Sequence, residues 1–138
     1  MDVPNFTESK YLMMLMRNLE DGVPIKTSLI SRKIGVKPPS VAEMMDRLEA
    51  HGLVRRIKWR ETTLTSKGTK IAKRLLHNHR ILEIYFVTFL NIDEDLACRE
   101  ASKIDLYVGQ EIIKAMCRAL NRPCKCPHGK EVYHESCV

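Results

Sequence analysis

The sequence predicts a mainly α-helical fold with one small β-hairpin, in which an N-terminal winged helix-turn-helix precedes an α-helical domain. Two observations support this prediction. Residues 36–52 place apolar side chains at helical spacing between two prolines and a glycine, and residues 53–65 contain two short runs typical of strands around a turn. A helix, a glycine and a hairpin in this order are typical of a DNA-reading helix and its wing. We therefore divide the chain into residues 1–68 and 69–138, the second ending in a Cys/His-rich tail.

The composition bounds the class of protein. With 138 residues, 44% hydrophobic and 29% charged, the chain is typical of a globular protein with one core, or with two small subdomains. No apolar run reaches the roughly 18 residues that span a bilayer. The N-terminus also lacks the basic region and apolar core of a secretory leader. We expect a cytoplasmic protein that does not associate with membranes.

Two predicted helices precede the DNA-reading helix. Thr7 is the predicted cap of the first, over residues 8–19, and its apolar stripe is expected to face the core. Thr27 or Ser28 is predicted to open the second, which ends near Ile34.

The third helix is predicted to bind DNA, because the first residues of a recognition helix meet base edges in the major groove. Ser40 is its predicted cap, and Gly52 is predicted to end it. Glu43 can accept a hydrogen bond from a cytosine amine, although a surface ion pair with Arg47 is an equally good interpretation. The predicted DNA-binding residues of this helix and of the hairpin tip are Lys37, Pro39, Ser40, Glu43, Met44, Arg47, Lys58 and Arg60.

Positive charge is concentrated in the same half of the chain. Residues 1–80 carry 16 basic and 8 acidic side chains, whereas residues 81–138 carry 7 and 9. Within residues 55–74 there are eight basic side chains and one acidic one. This density attracts phosphates, so double-stranded DNA is the expected partner.

The second half is predicted to be helical and to form a homodimer. A long helix is predicted to start at residues 66–68, and residues 81–90 are nearly continuous in apolar side chains. Such a helix must bury most of its surface, which in a small protein usually requires a second chain. A dimer would place two recognition helices one DNA turn apart on a palindromic site. Further helices are predicted over residues 94–107 and 110–120.

Candidate metal ligands occur in the long helix and in the tail. His79 and Glu83, four residues apart, present a nitrogen and an oxygen on one helical face, which suits Fe(II), Mn(II) or Zn(II). The alternative is a structural histidine and a buried carboxylate with a basic partner. Cysteines in a cytoplasmic chain are more often thiols or ligands than disulfides. Five soft or imidazole ligands crowd the last fifteen residues: Cys124, Cys126, His128, His134 and Cys137.

Taken together, these residues resemble the iron- and manganese-dependent repressors of the diphtheria toxin repressor and MntR type. The resemblance covers nearly the whole chain. It rests on the end of the hairpin (64–68), the His-x-x-x-Glu segment (79–83), the helix over 93–105 and Cys-Pro-His-Gly (126–129). The chain is similar to the short two-domain form. The resemblance implies a dimeric, metal-dependent transcriptional regulator, expected to be a repressor, whose second domain dimerises and holds the metal.

The resemblance also implies a ligand set. Glu83, Cys126 and His128 match ligands of relatives with the Cys-Pro-His-Gly motif, and Cys98 stands where some relatives have a histidine ligand. The predicted metal ligands are His79, Glu83, Cys98, Cys124, Cys126, His128 and Cys137. Several thiolates shift the preference from manganese toward zinc, iron or an iron–sulfur cluster. An iron–sulfur or thiol-redox sensor on the same scaffold is therefore the alternative function.

A second metal site of the family is expected to be lost. Lys10 stands where relatives place a methionine or aspartate ligand, and an ammonium group cannot bind a cation. The ligand run of the later helix becomes Ser102, Asp105 and Leu106, which keeps only a carboxylate. We hypothesise that Lys10 pairs with Asp105 and so replaces the charge of the ion.

A nucleic-acid-binding module and an enzyme are two further alternatives. A zinc-stabilised module could bind nucleic acid without sequence choice through its basic face. An enzyme has little support, because the spacing of the cysteines and histidines suggests neither a third orienting group nor a substrate pocket.

Overall fold

The computed structural model describes residues 4–57 and 61–137, except the side chains of Ser136 and Cys137. The chain divides into two compact units, Met1–Ala72 and Lys73–Val138. The elements of the described residues are α1 (Phe6–Glu20), α2 (Thr27–Ile34), α3 (Pro38–Ala50), β1 (Val54–Ile57), β2 (Glu61–Leu64), α4 (Ser66–Leu90), α5 (Glu94–Ile104), α6 (Gln110–Ala119) and a 3-10 turn (His134–Cys137). The predicted fold class, helices with one small hairpin, is confirmed.

Helix α1 starts earlier than predicted. The side chain of Asn5, not that of Thr7, caps the helix, because Asn5 Oδ1 accepts a hydrogen bond from the Glu8 backbone N–H at 2.8 Å. Thr7 therefore lies inside the first turn. Helix α2 begins at Thr27, one of its two predicted starts, without a side-chain cap.

The predicted cap of α3 is also wrong. The helix begins at Pro38, and Lys37 is the N-cap residue. Proline is favoured there because the first helical N–H groups have no partner within the helix. Ser40 already lies inside, since its backbone N–H donates to the Lys37 carbonyl at 3.0 Å. The predicted apolar face is confirmed as core, with Val41, Met44, Met45 and Leu48 buried.

Strands β1 and β2 form the predicted antiparallel hairpin, with Val54 paired to Leu64 and Ile57 to Glu61. The segment before α2 joins the edge of β2, where the Thr62 backbone N–H donates to the Ile25 carbonyl at 3.0 Å. The predicted tip of the wing, residues 58–60 with Lys58 and Arg60, lies outside the described residues.

The start of α4 passes directly over the start of the hairpin. The Thr65 backbone N–H donates to the Leu53 carbonyl at 3.1 Å, and Thr65 Oγ1 accepts from the Gly68 N–H at 3.0 Å. A Cβ atom on Gly68 would lie 1.9 Å from the Leu53 carbonyl oxygen. Only glycine permits this approach.

The second unit is built on the remainder of α4. Its apolar core comprises Ile81, Leu82, Ala101, Ile113, Cys117 and Val132. Helix α5 begins after Asp93, whose side chain accepts from the Leu96 N–H, and it ends at Ile104 rather than at Tyr107 as predicted.

The apolar run 81–90 is divided between core and surface. Ile81 and Leu82 are buried inside the unit, whereas Phe89 and Leu90 expose 54% and 57% of their surface. The expectation that a second chain covers the whole run is therefore wrong for its first residues. Among the described residues, no helix combines the length and apolarity needed to cross a bilayer.

Candidate metal centre

The Cys-Pro-His-Gly motif forms a tight loop over residues 126–130. The Cys126 backbone N–H donates to the Lys130 carbonyl at 2.9 Å, and the Gly129 N–H donates to the Cys126 carbonyl at 2.8 Å. Gly129 has φ 79°, which favours glycine. The Lys130 N–H also points at Cys126 Sγ, 3.4 Å away. This contact holds the sulfur atom in a fixed position within the loop.

Two side chains of α4 hold the tail in place. Buried His77 donates from Nδ1 to the Val132 carbonyl at 2.9 Å, and Arg80 donates from Nη1 to the Glu131 carbonyl at 2.6 Å. Burial lowers the pKa of His77, so the imidazole is neutral and can occupy the interior without a charge. Val132 itself fills the core. These contacts bring the 126–130 loop to Glu83, one turn beyond Arg80 on α4.

Five of the predicted ligands form two groups of three that share Glu83. The first triad is His79, Glu83 and Cys98, and the second is Glu83, Cys126 and His128. In each triad the three donor atoms lie within 4.8 Å of one another. Glu83 is 2% exposed and belongs to both. The i,i+4 pair on α4 and the tail motif therefore meet at Glu83.

An aspartate orients His79. His79 Nδ1 lies 3.0 Å from Asp105 Oδ2, and both side chains are almost completely buried. A carboxylate can only accept, so Nδ1 carries a proton, and Nε2, which lies 3.5 Å from Cys98 Sγ, is the nitrogen that faces the triad. Metal-binding histidines are usually held by an outer carboxylate in this way.

His128 lies between two carboxylates. Its Nδ1 is 3.0 Å from Glu83 Oε2, and its Nε2 is 3.2 Å from Asp95 Oδ1. The hydrogen bond with Asp95 is the main cause that raises the pKa of His128, and the charge of Glu83 adds to it. Since only an unprotonated nitrogen binds a cation, a proton and a metal ion compete for this imidazole.

The donors fit a divalent transition metal. Each triad offers one imidazole nitrogen, one sulfur and one carboxylate oxygen, a set that suits Fe(II), Zn(II) or Co(II) better than Ca²⁺ or Mg²⁺. A third group, Glu94, Asp95 and His128, consists of exposed side chains. Since Asp95 already holds His128, we assign it to orienting the imidazole.

Two predicted ligands are not part of these triads as described. Cys124 is exposed and falls in neither triad, while its carbonyl accepts from the Val132 N–H at 3.1 Å. Cys137 is placed in the 3-10 turn, but its side chain lies outside the description. His134 lies instead beside Cys117, with Nδ1 3.7 Å from the sulfur.

Sequence reasoning did not find the two orienting aspartates. Asp95 lies in the helix predicted over residues 94–107, and its contact with His128 joins residues far apart in the sequence. The sequence predicts Asp105 as a retained carboxylate and Lys10 as its partner. That pairing stays a prediction, whereas the hydrogen bond from His79 gives Asp105 a place at the first triad.

Replacing Asp105 by asparagine is expected to weaken metal binding by about 10- to 100-fold, the usual cost of losing an outer-shell partner. The asparagine amide can donate to His79 Nδ1, which would move the imidazole proton to Nε2 and block that ligand atom. Co(II) affinity of the reduced protein measures the effect. Glu100→Gln, which neutralises a carboxylate on α5, is the control. Equal Co(II) affinity of Asp105→Asn and wild type would refute the orienting role.

The first unit presents the predicted DNA-binding residues of α3 with one exception. Lys37, Pro39, Ser40, Glu43 and Arg47 are exposed. Met44 is only 9% exposed and packs in the core, so its predicted place in the major groove is wrong. The helical face that holds Val41 and Leu48 also contains Met44, which explains its burial.

Arg56 fastens the hairpin to α3. Its Nη2 donates to the Ala42 carbonyl and pairs with Asp46 Oδ1, both at 2.9 Å, and its backbone N–H donates to Glu49 Oε2 at 3.0 Å. These bonds fix β1 against the exposed side of the helix.

Family models match both halves of the chain. Residues 6–60 match the model described as iron dependent repressor, N-terminal DNA binding domain. Residues 65–134 match the model described as iron dependent repressor, metal binding and dimerisation domain.

Individual relatives agree with these matches. An uncharacterised helix-turn-helix transcriptional regulator of Methanocaldococcus jannaschii is 32% identical over 114 residues, 83% of this chain and 88% of the relative. The transcriptional regulator MntR of Escherichia coli O6:H1 is 34% identical over 86 residues, 62% of this chain and 55% of the relative. The structure of the manganese regulator SloR superposes with TM-score 0.78 at 30% identity, covering 95% of this chain and 60% of that one. The chain thus spans little more than half the length of the two named regulators.

Proposed function

Because the chain belongs to the iron-dependent repressor family, we propose that it is a transcriptional regulator whose DNA binding is controlled by divalent metal held around Glu83. The first unit supplies the exposed α3 and the hairpin, and the second supplies the ligands. A protein with this function is a regulator rather than an enzyme. We expect it to act in the cytoplasm, where the DNA is.

The convergence of four other donors on Glu83 is the observation that supports this proposal best. Buried histidine, cysteine and carboxylate groups rarely gather without a ligand or a catalytic role. Helix α4 begins in the first unit and carries His79 and Glu83 in the second. A bound ion that orders this helix would therefore act on DNA binding.

The description of the family names iron, and the description of SloR names manganese. The thiols of Cys98 and Cys126 favour Fe(II) or Zn(II) over manganese for this chain. An iron–sulfur cluster is less well supported, because each described triad contains a single cysteine beside oxygen and nitrogen donors, and Cys124 belongs to neither. We therefore propose that mixed nitrogen, oxygen and sulfur ligands hold divalent metal here, rather than an iron–sulfur cluster.

A binding experiment tests the proposal. DNA selected from a random duplex library by the Fe(II)- or Zn(II)-loaded protein would serve as the operator probe in fluorescence anisotropy. We expect roughly 10³-fold or greater preference over bulk DNA with metal, and loss of that preference after chelation. Equal affinity with and without metal would refute metal control, and the absence of preference would favour a non-specific nucleic-acid-binding module.

We also propose a homodimer on a palindromic operator. The second unit matches a dimerisation domain, and it exposes large apolar side chains that a second copy can cover. They are Phe89, Leu90, Ile104, Tyr107 and Ile112.

The exposed residues at the start of α3 are proposed to contact DNA, together with Lys58 and Arg60 of the wing. Replacing Lys37 by alanine is expected to weaken binding about equally for all sequences and to lower the salt dependence by about one phosphate contact. Anisotropy titrations over a range of salt concentrations measure both. Glu43→Gln is the matched test of base reading, since it should change the preferred sequence. An unchanged salt slope in Lys37→Ala would exclude a phosphate contact.

A further inference from the structure

Residues 123–134, which we call the tail hairpin, carry the Cys-Pro-His-Gly loop at their tip. Above the loop the hairpin is held by backbone, since the Val132 N–H donates to the Cys124 carbonyl at 3.1 Å. At its base a side chain takes over, because His134 Nε2 lies 2.6 Å from the Pro123 carbonyl oxygen. A carbonyl oxygen only accepts, so Nε2 carries a proton and donates it. His134 thereby closes the base of the tail hairpin.

The second nitrogen of His134 faces the core. Its Nδ1 lies 3.7 Å from Sγ of Cys117, a residue of α6 that is 1% exposed. A contact of this length between sulfur and imidazole is a weak hydrogen bond. The ring also lies edge to face against buried His77 of α4, with the ring centroids 5.6 Å apart. One side chain thus connects the tail hairpin to both helices.

The backbone at both ends of the tail hairpin is strained. Asn121 and Arg122, just before Pro123, have φ 59° and 51°. Tyr133, just before His134, has φ 59°. Residues other than glycine rarely adopt this left-handed conformation, which persists only where surrounding contacts impose it. The hydrogen bond from His134 to Pro123 joins the residues that follow the two strained stretches, so it is suited to hold both ends.

His134 is not placed as a metal ligand. Among the described residues, it belongs to none of the groups whose donor atoms could hold an ion. Both of its nitrogens already have a partner. The ligands at the tip of the same hairpin are Cys126 and His128, which meet Glu83. Any effect of His134 on an ion would therefore act through the loop that carries these two residues.

We propose that His134 is a positioning residue of the metal-binding loop, which holds Cys126 and His128 at Glu83 by closing the base of the tail hairpin. Its effect on metal affinity rests on the proposed function, but the closure of the hairpin does not. Ligands that are ordered before an ion arrives bind it more tightly, because less conformational freedom is lost on binding.

Three substitutions of His134 in the full, reduced chain test the proposal. Glutamine places an amide N–H near the position of Nε2 and can still donate to Pro123, whereas asparagine is too short and alanine has no donor. We expect His134→Ala and His134→Asn to bind Co(II) about tenfold more weakly, the lower end of the usual cost of losing an outer partner. His134→Gln should bind like the wild type. His51→Ala, which removes an exposed histidine of the first unit, is the control.

Alkylation of the metal-free protein follows the closure of the hairpin without any ion. Cys126 is 6% exposed, so it is alkylated only when the hairpin opens. We expect iodoacetamide to label Cys126 about tenfold faster in His134→Ala and His134→Asn than in the wild type, because local opening is easier. Peptide mass spectrometry measures each cysteine separately. Half-buried Cys98 on α5 is the internal reference, whose rate should stay the same.

The outcomes separate this proposal from the proposed function. Wild-type Co(II) affinity and wild-type labelling of Cys126 in His134→Ala would overturn the positioning role, and so would equal behaviour of His134→Gln and His134→Asn. That second comparison decides if the alanine variant does not fold. A changed absorption spectrum of Co(II)-loaded His134→Ala, with unchanged labelling of the metal-free form, would overturn it in favour of a ligand role. No Co(II) binding by the wild type would overturn the proposed function, while the labelling rates would still decide whether His134 closes the hairpin.

Discussion

Replacing Glu83 by glutamine is expected to abolish the effect of metal on DNA binding. Glu83 is the residue common to both triads, and glutamine keeps its size but loses the charge that binds a cation. Since loss of an outer-shell partner already costs about 10- to 100-fold in metal affinity, loss of this ligand should cost at least the upper value. The metal-loaded variant should then bind the selected operator no better than wild-type protein after chelation, as measured by anisotropy.

Glu131→Gln is the matched control for this experiment. It makes the same substitution at an exposed carboxylate of the tail, and its side chain is in neither triad. We expect it to respond to metal like the wild type. A Glu83→Gln protein that is folded by circular dichroism and still activated by metal would show that the Glu83 centre does not control DNA binding.

Replacing Gly68 by alanine is expected to destabilise the first unit severely. The added Cβ would lie 1.9 Å from the Leu53 carbonyl oxygen and 2.9 Å from its carbon, both backbone atoms that no side-chain rotation can move away. Overpacking typically costs 1–3 kcal/mol, and a collision with backbone belongs at the top of that range or above it, so we expect a loss of about 3 kcal/mol. Denaturant unfolding of the full chain, followed by circular dichroism, measures the loss.

Gly109→Ala provides the comparison. Gly109 has φ −64° and nothing within 4 Å of an added Cβ, so alanine fits without strain. We expect a change within about 1 kcal/mol, with a weaker N-cap offset by a less flexible unfolded chain. An equally small loss of unfolding free energy in Gly68→Ala would contradict the prediction. It would mean that α4 and the hairpin can move apart at little cost.

The parts of the fold that were predictable depend on local rules. The spacing of Val41, Met45 and Leu48 fixes which face of α3 is buried, because a helix repeats every 3.6 residues whatever surrounds it. Caps were less predictable: Asn5 and Thr7 are both good capping residues two positions apart, and tertiary packing chooses between them. Met44 fits the apolar spacing of α3 and is also a predicted DNA contact, and the structure buries it in the core.

The metal centre was predictable to a similar extent. His79 and Glu83 follow from an i,i+4 spacing, and the tail ligands Cys126 and His128 from a short motif. The hydrogen bonds that Asp105 and Asp95 accept from the two histidines could not be predicted, since they connect residues 26 and 33 positions apart. Nor does a sequence say which cysteine of Cys124 and Cys126 faces inward, because that depends on the loop that closes at Lys130.

The two sulfur atoms beside Glu83 make the capacity of the centre depend on its earlier exposure to oxidants. A thiolate bound to an ion is protected from oxidants, whereas the same sulfur after chelation in air can pass to sulfenic and then sulfinic acid, and the second step is irreversible for most proteins. Cys98 is half-buried and Cys126 is buried, so oxidation would begin at Cys98, in the triad that contains His79. A preparation stripped aerobically would then recover only part of its capacity when metal is returned.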